Sequence, residues 1–186
     1  MRYPETHKEE VRKKLIESAA RMLRAHGLSG VGIPALMREV GLTHGAFYVH
    51  FSSRDELVAE AVKLASQQIT GSIEAPERSW NDAVQHYLHR VHRDHPEQGC
   101  ALAALGSEAP RQDKSVREVF SQSAVNFVHR LDKKLHPKHS RREPHDDALV
   151  AASTMLGAII LSRLLGAHPL ADRVLHAVTE SLLNSE

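Results

Sequence analysis

The chain has 186 residues, with 24 Lys and Arg against 23 Asp and Glu, 41% hydrophobic and 25% charged. This composition excludes disorder, and the near-zero net charge gives no overall signal for nucleic acid, membrane or acidic partners. One cysteine excludes an internal disulfide framework and a Cys-rich zinc site. The N-terminal MRYPETHKEEVRKK has no apolar core for secretion, and the longest uncharged run, Ala148–Ser162 at 15 residues, is short for a bilayer span. A cytoplasmic protein with no membrane role is expected.

Helical periodicity recurs along the chain and period-two β-branched runs are missing, so an all-α fold of about nine helices is expected. Thr6-x-x-Glu9 is a capping-box signature, and Val11, Leu15, Ala19, Met22 and Leu23 form an apolar stripe ending at His26-Gly27. A short helix fits Ile33–Val40, stopped by Gly41, and a shorter one fits His44–His50. Ser53-x-x-Glu56 opens a helix to about Thr70, with a break at Gly71–Pro76. Ser79–His95 reads as one helix, Cys100–Glu108 as a short one and Asp113–Leu135 as a long one. His136–Pro144 reads as a loop, with Pro144 in the first turn of an almost wholly apolar helix running to Leu165. Asp146 and Asp147 complement its N-terminal dipole. Pro169 opens the last helix, ending near Leu183.

Two short helices joined by Gly41-Leu42-Thr43 have the helix-turn-helix form, although an ordinary helical hairpin has it too. Thr43 is a good N-cap, and Leu42 with Phe47 makes a hydrophobic staple. Gly45 would let the backbone approach a phosphate, and Ala46 leaves room at a base edge. Tyr48 and His50 can donate to phosphates, contacts that position a protein on DNA but do not specify sequence.

With these residues in view, GIPALMREVGLTHGAFYVHFSSRDELVAEAV resembles the N-terminal domain of the TetR family of transcriptional regulators. The likeness covers roughly residues 8–65. It implies a DNA-binding domain over residues 1–52, with the motif at about 32–51, and an effector-binding and dimerisation domain over residues 53–186. It implies DNA contacts by Gly32, Thr43, His44, Gly45, Ala46, Tyr48, His50 and Arg54. Thr43 to Ala46 would face the groove. Tyr48, His50 and Arg54 would meet phosphates, Arg54 where members usually carry lysine. Gly32 stands where members usually have Thr or Ser, so the phosphate contact of that hydroxyl is missing. Charge agrees: residues 1–54 hold nine bases and five acids, and the remainder is mildly acidic.

The resemblance also implies a homodimer on double-stranded operator DNA and a small-molecule effector. The dimer interface is expected at Ala152, Met155, Leu156, Ile159, Ile160 and Leu164, because the penultimate helix carries more apolar surface than one small bundle needs. The alternative is a core helix of a monomer. Effector-pocket candidates by apolar pattern are Trp80, Tyr87, Leu102, Phe120, Phe127 and Met155, together with Cys100. Each apolar residue fits plain core as well. Cys100 begins a short helix and reads as a small buried hydrophobe, with a sensing role left open by the resemblance.

His86, His89, His92 and His95 recur every three residues. On one continuous helix His86 and His95 would lie on opposite sides, so the four could not share an ion. His136, His139, His145 and Asp146 read as a solvated loop. No metal, cofactor or enzyme is expected: G-x-S-x-G, G-x-x-x-x-G-K-[ST] and H-E-x-x-H are missing. The expected function is a ligand-responsive regulator, most simply a repressor. The alternative is a dimeric small-molecule or partner-binding helical protein that does not read DNA.

Overall fold

Caps and breakers in the sequence become helix ends in the computed structural model, which describes residues 5–75, 78–138 and 143–184. Ten α-helices are present among these residues, with no strand. They are α1 (Glu5–His26), α2 (Ile33–Glu39), α3 (Phe47–His50), α4 (Arg54–Glu74), α5 (Trp80–Tyr87), α6 (Arg90–Asp94), α7 (Ala101–Leu105), α8 (Lys114–Leu135), α9 (Asp146–Leu165) and α10 (Leu170–Leu183). The all-α expectation holds. Thr6 lies inside α1 and is not its cap, and α4 continues through Gly71 to Glu74. Pro144 precedes the α9 cap, His145, so it falls outside the first turn. His139 lies outside the described residues.

The helix expected over Ser79–His95 is two helices. Its first half begins with a reciprocal box, in which Ser79 Oγ accepts from Asp82 N and Asp82 accepts from Ser79 N. It stops at Leu88 because His89 turns to an extended backbone and its Nδ1 accepts from Val91 N at 3.2 Å, capping α6. A side chain that caps a new helix competes with continuing the old one.

Two apolar cores result. The first joins Leu15 and Leu23 of α1, Leu36 of α2, Phe47 of α3 and its C-cap Phe51, and Val58 and Ala61 of α4. It continues without a gap into Leu105, Val116 and Phe120. The N-terminal helices therefore share one core with the body, across the expected boundary at residues 52–53. The second core gathers Tyr87, Cys100, Phe127, Leu131, Met155 and Ile159. By length and composition α9 resembles a membrane span, but one stripe of it, including Ala148, Ala152, Met155 and Ile159, is buried within this fold.

Candidate nucleic-acid interface

The turn between α2 and α3 is built by backbone geometry. Gly41 has φ +74°, where a side chain would be strained. Leu42 N donates to Met37 O at 2.8 Å and Gly41 N to Arg38 O at 3.1 Å, the paired bonds of a Schellman stop. Leu42 then packs on the first core, whose Phe47 is fully buried. The chain re-enters helix through a single 3₁₀ turn, His44–Ala46, before α3.

This leaves Thr43, His44 and Gly45 exposed at the start of the second helix, with Ala46 half-buried. Thr43 occupies the N-cap position, yet its side chain makes no capping bond. A Cβ placed on Gly45 would meet nothing within 4 Å, so the fold does not require glycine there. Gly32 is similar: it is the exposed N-cap of α2, and a Cβ would touch only Pro34 Cδ at 3.6 Å. Tyr48 is 62% exposed, its ring edge-on to His44 and to Phe47.

His50 is half-buried, with its Nδ1 enclosed and without a hydrogen-bond partner. Burial lowers its pKa, and the charges of Lys8, Arg12 and His7 lower it further. Its charged form is disfavoured at this cationic edge, and an arriving anion would relieve that. Sequence reasoning missed these α1 cations, because i to i+4 spacing does not show which helix crosses α3.

Arg54 is placed differently from the expectation. Its guanidinium donates to the carbonyls of Leu28 and Val31, the second at 3.3 Å, and so ties the α1–α2 connection to α4. One nitrogen, Nη2, of the side chain expected on a phosphate is thus engaged within the fold. Two further ties run from this end of the molecule into the body. Glu108 accepts from Leu28 N at 3.0 Å, and buried Arg24 donates to Gly99 O at 2.7 Å and to Gln68 Oε1 at 3.2 Å.

The expected effector residues do not gather round one cavity. Tyr87, Cys100, Phe127 and Met155 are packed in the second core, and burial raises the Cys100 thiol pKa. Trp80 is half-buried and donates to Leu182 O at 3.4 Å. Leu102 and Phe120 line a groove of about 480 Å³ together with Leu156 and Ile160. A cleft of about 610 Å³ lies elsewhere: Ile69, His86, His89, His92, His95 and Gly99 all line it. The break at Leu88 brings the four histidines to one cleft, contrary to the opposite-sides expectation. His92 is buried there; its Nδ1 meets Tyr87 O at 2.6 Å and its Nε2 accepts from Cys100 N at 2.9 Å. Arg163 of α9 donates to His92 O at 2.7 Å.

The expected dimer residues divide between the two faces of α9. Ala152, Met155 and Ile159 are buried within the chain. Leu156 is half-buried, whereas Ile160 and Leu164 are exposed. Leu149, Val150 and Leu161 extend that outer face, with Leu164 80% exposed. A helix apolar all round does not reveal by pattern which of its faces turns inward.

A model of bacterial regulatory proteins of the tetR family matches residues 15–61. A helix-turn-helix-type transcriptional regulator of Mycobacterium tuberculosis is 28% identical over 163 residues, which cover 82% of this chain and 84% of that one. The regulator SrpR of Pseudomonas putida is 36% identical over 89 residues, 45% of this chain and 41% of its own. Among solved structures, a TetR-family regulator of Cytophaga hutchinsonii superposes with a TM-score of 0.75 at 20% identity, covering 97% of this chain and 96% of that one. The reduced form of E. coli NemR gives 0.72 at 18% identity, covering 91% and 95%. At such identities these two share the fold.

Proposed function

This chain belongs to the TetR family of transcriptional regulators, which are not enzymes, and from that premise we propose that it is a cytoplasmic, homodimeric repressor of a near-palindromic operator, released by a small-molecule effector. The observation that carries this reading is the start of the second motif helix, where Thr43, His44 and Gly45 are exposed and none is needed by the core. His44 and Ala46 read base edges, the Gly45 backbone approaches a phosphate, and Tyr48 and His50 hold the register. Gly32, Thr43 and the neighbouring cations complete the contact surface, and Arg54 braces it from within.

The dimer forms through the outer face of α9, where Leu149, Val150, Ile160, Leu161 and Leu164 stand exposed on one apolar helix. Exposed apolar surface of this kind marks an interface. The effector enters the His-lined cleft, not the packed cluster of Tyr87, Phe127 and Met155. Gly99 lines that cleft and its carbonyl takes Arg24 of α1, while His92 is held by Arg163 of α9. A ligand that shifts Gly99 or His92 therefore acts on both the reading end and the dimer helix. A coupling of about 1–3 kcal/mol would weaken DNA binding roughly 5–150-fold.

Selection from randomised duplexes tests the reading. The expected product is an inverted repeat with half-sites about 34–36 Å apart, or somewhat more, and His44→Ala should change the preferred half-site. Recovery of no repeat, or of the same half-site with His44→Ala, contradicts it.

A further inference from the structure

We propose that Asp132, His136 and His145 form a binding site for a divalent transition-metal ion of the zinc class, at the junction of α8 and α9. Asp132 lies in the last turn of α8, and His136, one turn later, is the C-cap of that helix. His145 is the N-cap of α9. The three side chains offer donor atoms that all lie within 4.8 Å of one another. The end of α8 and the start of α9 meet at these residues, so the fold itself brings the donors together.

The chemistry of the set favours a cation over three ordinary polar contacts. Asp132 is buried, at 6% exposure. Its carboxylate accepts from the His145 backbone N–H at 3.0 Å and lies 2.8 Å from the His145 ring Nδ1. The His136 and His145 rings lie 3.9 Å apart at 34°. With donor atoms this close, one metal ion could join both rings to the carboxylate. Asp147 sits outside the group and accepts from His136 Nε2 at 3.0 Å. A carboxylate on a ligating histidine fixes the ring and raises its basicity.

Two imidazoles and one carboxylate suit zinc, which binds nitrogen at about 2.0–2.1 Å and carboxylate oxygen at about 2.0–2.2 Å. Calcium and magnesium prefer all-oxygen shells. Closing on zinc needs the donors to draw in from their present spacing. The ion would clip the end of α8 to the start of α9. The proposal does not depend on how the cleft or the DNA-reading end works.

Titration of tag-free protein with zinc chloride, followed by calorimetry, is the test. One zinc per chain is expected. His136→Gln and His145→Gln should each weaken it by more than the roughly 10–100-fold that loss of an outer-shell partner costs. His86→Gln/His89→Gln, in the cleft, should leave it unchanged. Zinc-edge X-ray absorption on the wild-type complex, which no variant's folding can confuse, should show two imidazole ligands. Equal binding by the α8–α9 variants, loss in the cleft variant, no stoichiometric zinc, or a spectrum without two imidazoles would each overturn the site.

Discussion

Tyr48 and Arg54 are both side chains expected on phosphates, and the fold uses them differently. Tyr48 projects into solvent, so its hydroxyl is available to DNA. Tyr48→Phe should weaken binding by about 1 kcal/mol, roughly fivefold, equally on all sequences. The salt dependence should change little, since no charge is lost; fluorescence anisotropy on several duplexes at varied salt checks this. Arg54 already serves two carbonyls. Arg54→Ala should therefore lower unfolding free energy by about 1–3 kcal/mol in urea titrations. A wild-type stability with a salt slope reduced by about 1 would instead put Arg54 on a phosphate. The turn was legible in the sequence because Gly41, Leu42 and Phe47 each have a local mechanism, whereas the cap expected of the Thr43 side chain is not made. The occupation of Arg54 was not, because its acceptors lie more than twenty positions away.

At the scale of elements, caps such as Ser53 and stops such as Gly41 were readable, because each bonds within a few residues. The break at Leu88 was hidden, since a histidine that caps a helix looks like any other polar helix residue. That break buries His92 in the cleft wall. Its pKa falls to about 4, chiefly through desolvation, against an ordinary value of 6.5. The unfolded chain therefore binds this proton over a range where the folded chain does not. Stability is complete above pH 6.5 and declines as pH falls toward 4, by about 3 kcal/mol from this group. The lowered values of His50 and His86 act in the same direction. Urea unfolding at pH 7.5 and 4.5 should show the decline, and His92→Gln should make it shallower. A wild-type stability independent of pH over this range would contradict the burial argument. α9 presents the opposite difficulty. Its length and apolar character were evident, but the inward stripe of Ala152, Met155 and Ile159 could be separated from the outer face only after α8 and α10 were in place.

Across the whole molecule, the end proposed to read DNA and the body share one apolar core among the described residues. The first core passes from Phe47 to Phe120, and Arg24, Glu108 and Arg54 stitch the same seam with hydrogen bonds. A cleft bordered by Gly99 and His92 lies beside that seam, so ligand binding and DNA reading can share one two-state change, provided the ligand binds the two states unequally. The balanced total charge is compatible with the proposed dimer, which would set two modestly positive ends in register. Leu164→Arg should place a charge in the interface and give a monomer that loses full-site binding. At an exposed position its own unfolding free energy should shift by no more than about 0.5 kcal/mol. The most direct measurement is sedimentation velocity of the wild-type chain, free and on its selected operator. A free particle of twice 20.7 kDa and two chains on each palindrome are expected. A 20.7 kDa particle, or one chain bound per site, would contradict it.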